Sequence, residues 1–124
     1  MSKCWITLIA LGALALSYAF EGTYDVKGYD PYEKKSYEGS VVIKKDKSGT
    51  YQALWQLEEG GKEYQDIGTG LKFDEDKISF IFKDNLGGPD EGIQLYTRKE
   101  EKTLEGPFTL LNKSLIGKET LTKR

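Results

Sequence analysis

Histidine is missing from this chain altogether, and its 124 residues hold one cysteine, one methionine and three prolines. The cysteine, Cys4, sits in an apolar N-terminal run, so everything beyond it carries neither thiol nor imidazole. That excludes disulfides, zinc sites built on Cys or His, and every catalytic arrangement that needs either group. A dominant charge is lacking too, because 18 Lys and Arg are scattered among 20 Asp and Glu. No basic stripe can form, which argues against nucleic acid as a partner. "GTG" and "LGG" lack the spacing and the following Lys-Ser or Lys-Thr of a phosphate-cradling loop. No sustained helical period appears, the one candidate being a short turn over Leu110 to Leu115.

The first twenty residues, "MSKCWITLIALGALALSYAF", place one basic residue, Lys3, before an apolar run from Cys4 to Leu16. The run is short for a membrane span. Ser17-Tyr18-Ala19 puts small residues three and one positions before a cut, so residues 1–19 read as a signal peptide and Phe20 as the new N-terminus. Cys4 lies too far upstream to be a lipidated N-terminus. Cleavage would leave 105 residues with a formal charge of −3, no membrane span, and an exported destination, periplasmic or secreted. A chain of that size buries roughly two thirds of its unfolded surface, enough for one domain with one core.

Residues 20–124 alternate apolar and polar in short segments separated by Gly, Asp, Asn and Lys clusters, the pattern of an all-β domain. Eight segments emerge, starting near Gly22, Ser36, Ser48, Glu63, Ile78, Ile93, Lys102 and Ile116. Gly60-Gly61 supplies the positive φ of a tight hairpin turn. The alternation slips near Asp66, where "IGTG" follows, and predicts a bulge or strong bend there. Eight sequential strands joined by hairpin-length loops point to a single antiparallel up-and-down barrel, with a β-sandwich as the runner-up. "GTY" at Gly22 and Gly49 and "GTG" at Gly68 echo one another, as strands do when a glycine coils the sheet and an aromatic covers the gap.

Taken together, "GTYDVKGYDPYEKKSYEGSVVIKK", "GTYQALWQL", "IGTGL" and "GKETLT" resemble a group of small exported bacterial proteins, some of which carry a fibronectin-binding label. The architecture also resembles the calycin barrels, the lipocalin and avidin group. The Gly-x-Trp that lipocalins place on the first strand is here Gly22-Thr23-Tyr24, while Trp55 falls on the third. These resemblances imply a barrel and export, and bring no functional residues to transfer.

Candidate chemistry is sparse. The acidic pairs Glu58-Glu59, Asp74-Glu75-Asp76, Asp90-Glu91 and Glu100-Glu101 all fall in predicted turns, where solvation keeps them ionised. Glu119 shares a phase with Leu121 and Gly117 and is expected to point inward, where Arg98 or a tyrosine hydroxyl would have to satisfy it. "DNLGGPDEG" (Asp84 to Gly92) is rich in oxygen donors but lacks the spacing of a calcium loop, and no metal site or cofactor is expected. "SGTYQALWQL" (Ser48 to Leu57) turns Tyr51, Ala53, Trp55 and Leu57 to one face. With Tyr24, Tyr37 and Phe80, the aromatics Tyr51 and Trp55 either fill a core or line a pocket, since small eight-stranded barrels do both.

Three functions follow, none of them enzymatic. The first is an exported binding module that engages an extracytoplasmic protein through loops carrying Tyr32, Leu86 and Pro89, apolar side chains with no folding reason to be exposed. The second is a carrier holding a small apolar ligand among the interior aromatics. The third is an inhibitor of an extracellular hydrolase, with "GGPDEG" as its plug.

Overall fold

The computed structural model describes residues 19–124; all of the apolar leader except Ala19 lies outside the described residues. Eight antiparallel strands run in sequence, β1 (Gly22–Asp30), β2 (Lys35–Lys45), β3 (Tyr51–Glu59), β4 (Lys62–Asp74), β5 (Lys77–Asp84), β6 (Glu91–Glu100), β7 (Thr103–Leu110) and β8 (Gly117–Lys123). Each pairs with its sequence neighbours, and β8 returns to β1 to close the barrel. The up-and-down barrel is therefore the architecture, and the sandwich is set aside. Closure removes the two unpaired edges that an open meander would expose. Gly60 and Gly61 make the β3–β4 turn with φ of 59° and 80°.

Because the period is two, the register fixes which side chains enter the barrel. Tyr24 opposes Val41, Val41 opposes Trp55, and Trp55 opposes Asp66, so all four lie on the inner face. The expected bulge near Asp66 does not occur. Pairing between β3 and β4 runs unbroken from Tyr51–Gly70 to Glu59–Lys62, and the register shift in β4 falls later, between Lys72 and Asp74. The slip in alternation has another cause, which is that Asp66 is an acid at an inward position.

The interior divides into two halves. Phe20, Tyr24, Val26, Ile43, Tyr51, Ile78, Phe80, Tyr96, Leu104 and Leu121 pack into a buried core around the end where the chain enters and leaves. Phe20 acts as a plug: its ring meets Tyr51 edge-on at 6.1 Å, and its carbonyl accepts the Tyr24 hydroxyl at 2.7 Å. The Arg98 guanidinium covers the same ring from 4.9 Å. At the other end, reached by the β1–β2, β3–β4, β5–β6 and β7–β8 connections, acids and glycines stand among the inward aromatics, and the barrel stays open.

Candidate ligand-binding site

The open half encloses a cup of about 320 Å³. Trp55 and Tyr37 reach into it from the mid-level of the barrel, Leu57, Phe82 and Phe108 line its walls, and Tyr32 and Tyr64 stand toward the mouth. Two glycines let the rings lie flush with the sheet. A Cβ on Gly28 would run into the Tyr37 ring, and one on Gly68 would come within 2.8 Å of Trp55. The covering aromatic comes from the neighbouring strand, in the manner known to rescue glycines in coiled sheets.

Glu119 anchors this mid-level. It is 3% exposed, and its carboxylate accepts hydrogen bonds from Tyr37 Oη at 2.6 Å, from Trp55 Nε1 at 3.2 Å and from Tyr96 Oη. The indole N–H also lies 3.1 Å from Tyr96 Oη. Burial pushes the Glu119 carboxyl above the ordinary value while the three donors pull it back. The same acid, added to burial, raises both tyrosine hydroxyls. The inward Glu119 thus finds tyrosine hydroxyls as its partners. Arg98 does not reach it, since it lies at the closed end with its Nε 3.7 Å from Asp76.

Toward the mouth the lining turns acidic. Asp30, Glu33, Glu59, Asp66, Asp84 and Asp90 join Glu119, against a single lysine, Lys113. Glu59 is 8% exposed and Asp66 is half-buried, so Glu59 is not the solvated turn residue that its place beside Gly60 implies. Burial first, then contact with Asp30, raises the Glu59 carboxyl to about 7; Lys35 opposes the shift. Asp66 also rises to about 7, through burial and then the charges of Asp84, Glu119 and Asp90.

The rim is tied down on two sides. Asp30 Oδ1 accepts the Tyr32 and Glu33 amides at 2.8 and 3.3 Å, while Tyr32 Oη donates to the Leu115 carbonyl at 2.6 Å. Across the mouth, Asn85 donates through both its amide and its Nδ2 to Gln65, each at 2.7 Å.

Of the interior aromatics singled out in the sequence, Tyr37 and Trp55 line the cup, whereas Tyr24, Tyr51 and Phe80 belong to the packed half. Phe80 reaches the cup only indirectly, by meeting Trp55 edge-on at 5.6 Å. Among the loop residues, Leu86 (65% exposed) and Pro89 stand in solvent, but Tyr32 is half-buried and has a folding role as the strut between two rim loops. Asp30, Glu59, Asp66 and Asp84 are lining acids that the sequence does not place in a cavity: it reads Glu59 as a turn acid, Asp66 as a break in alternation and Asp84 as the start of a loop. Carrying the alternation Tyr51, Ala53, Trp55, Leu57 one step further reaches Glu59, and Phe80, Phe82 reaches Asp84.

A larger hollow of about 680 Å³ lies on the outer wall, lined in good part by outward positions such as Thr69, Ile81 and Ile93. With Ile81 66% exposed, it is a surface trough without the converging buried polar groups of a ligand site.

No protein-family model matches the chain, and none of the curated proteins does. Among solved structures it is similar to a redesigned β-barrel bound to DFHBI, with a TM-score of 0.75 and 14% identity over 88% of this chain and 96% of that one. A second redesigned β-barrel gives 0.73 and 14%, covering 89% and 93%. A de novo designed fluorescence-activating β-barrel gives 0.69 and 12%, covering 85% and 94%. At such identities the likeness establishes the fold, a small closed eight-stranded barrel.

Proposed function

We propose that this chain is a non-enzymatic binding protein of the extracytoplasmic space, exported through the leader in residues 1–19, which carries a small ligand in the open half of its barrel. The supporting observation is the division of the interior. One half is packed by large apolar side chains, while the other leaves a cup of about 320 Å³ walled by Trp55 and other aromatics. That volume sits at the small end of the range for ligand pockets, about 300–1,000 Å³, and suits a metabolite-sized molecule. The test is native mass spectrometry of the mature protein purified from its own source. A reproducible non-protein mass that solvent extraction removes supports a carrier; a chain that is always empty, and whose Trp55 emission responds to no small-molecule panel, overturns it.

A second reading is favoured by the bareness of Leu86 at the tip of the β5–β6 loop, beside exposed Pro89. There the loop would dock an extracytoplasmic protein, a matrix protein of the fibronectin kind being the example the sequence resemblance suggests. A pull-down unchanged by Leu86→Asp counts against that surface.

A further inference from the structure

The cup's chemistry narrows the class of ligand. Seven of the chain's 20 acidic residues line this one cavity, with Lys113 the only basic residue among its walls. Glu33 and Asp90 are exposed at the rim, but Asp30, Glu59, Asp66, Asp84 and Glu119 occupy inward register positions on five different strands. Asp66 and Asp84 are direct cross-strand partners, an arrangement of like charges that costs stability.

Two of these acids have neither a hydrogen-bond donor nor a salt bridge among the described residues. Glu59 is 8% exposed, and after burial the group that acts on it most is a second acid, Asp30. Asp66 has no hydrogen-bond donor and no ion pair among the described residues, and the charges that act on it are those of Asp84, Glu119 and Asp90. Lys35 faces Glu59 from β2 and Lys113 stands at the mouth, yet neither makes a salt bridge with a lining acid. Glu119 differs, since its oxygens are already committed to Tyr37, Trp55 and Tyr96.

Two further features set the size and character of the missing positive charge. Among the described residues no three acids converge closely enough to cage a metal ion, so the negative charge is spread around a volume rather than focused on a point. The faces between the acids are aromatic, and an indole or phenol ring attracts an organic ammonium through its quadrupole. Resting on the reading of the cup as a ligand site, we infer that its occupant is an organic cation, a protonated or quaternary amine on a compact apolar body. The apolar body lies against Trp55, Phe82 and Phe108, and the ammonium stands at the level of Asp66 and Glu59.

Residues 20–124 hold one tryptophan, Trp55, so the fluorescence of the mature chain reports from the cup wall itself. The probes are phenethylamine and its trimethylammonium form, compared with neutral 2-phenylethanol and anionic 3-phenylpropionate. The expected result is saturable quenching by both cations, about tenfold or more tighter than by the alcohol, and none by the carboxylate. Asp66→Asn and Glu59→Gln should each weaken the cations about tenfold while leaving the alcohol unchanged, a split that a general loosening of the barrel would not give. Equal binding of cation and alcohol, or indifference to both substitutions, overturns the charge assignment but leaves the carrier standing. Failure of every probe, together with an empty protein from the native source, overturns both.

Discussion

At the scale of single residues, the most consequential side chain is Glu119, where one buried carboxylate gathers two phenols and an indole. Truncation to Ala would strand three donors at once, and each stranded group costs about 1–3 kcal/mol. Glu119→Ala should therefore abolish or nearly abolish the folded state, while Tyr37→Phe, which removes one donor, should lower urea-measured stability by about 1.5–3 kcal/mol. The acids nearer the mouth act in the opposite direction. Their folded-state carboxyls sit near 7, against ordinary values of 4.5 for Glu59 and 3.8 for Asp66, so the fold holds their protons more tightly than the unfolded chain. Raising the pH from about 4 to about 7 strips those protons and removes stability, and above that range the penalty is constant. Glu59→Gln combined with Asp66→Asn should flatten this slope and raise stability at pH 8 by about 1–2 kcal/mol, less than full conversion of the shifts because the cup is open to solvent. Melting temperatures of the two proteins across that range test it, and a difference independent of pH would refute it.

At the scale of strands, the cup depends on rings lying where a neighbouring strand has no side chain. Gly28→Ala should push the Tyr37 ring off its seat and lengthen its bond to Glu119, for a loss of about 1–3 kcal/mol and a shift in Trp55 emission. Gly61→Ala, where a new Cβ meets nothing, serves as a comparison that strains the turn without touching the cup. The strands themselves are legible in the sequence because period-two alternation is a local signal, and each of the eight segments begins within three residues of a strand. The site is less legible. Tyr37 and Trp55 are among its candidates, but Glu59 reads as a turn residue because it adjoins Gly60-Gly61. Asp66 reads as a break in the pattern because a lone inward acid looks locally like a register slip. What identifies them is the set of other inward acids on β1, β5 and β8, which closure brings around one cavity.

At the scale of the whole molecule, an eight-stranded barrel has room either to be filled or to hold a guest, and this one is packed at one end and hollow at the other. Trp55 stands at the boundary, 3% exposed while lining the cup, which makes it a wall shared by core and cavity. Replacing it with Ala should cost about 3–5 kcal/mol and is a poor probe of binding, whereas Trp55→Phe should keep the fold and alter affinity. A ligand that enters the cup stabilises the barrel as a unit. At a concentration one hundred times its Kd the gain is about 2.7 kcal/mol, and the rise in Tm should keep growing with ligand concentration. A Tm that does not move under saturating ligand would place binding elsewhere.

The even number of strands carries the chain back to its starting end: the Arg124 amide donates to the Thr23 carbonyl at 2.9 Å, and Phe20 plugs the floor beside them. Both ends of the described chain are thus remote from the cup, on the far side of the packed half. A surface, bead or fused protein joined at Arg124 would hold the molecule upright with its mouth turned away from the attachment, free to load and empty. By the same geometry, a short linker from Arg124 to Ala19, which keeps the Phe20 plug, would allow the chain to be reopened at Asp46–Gly49, another closed-end turn, giving a permuted barrel with its acidic rim untouched.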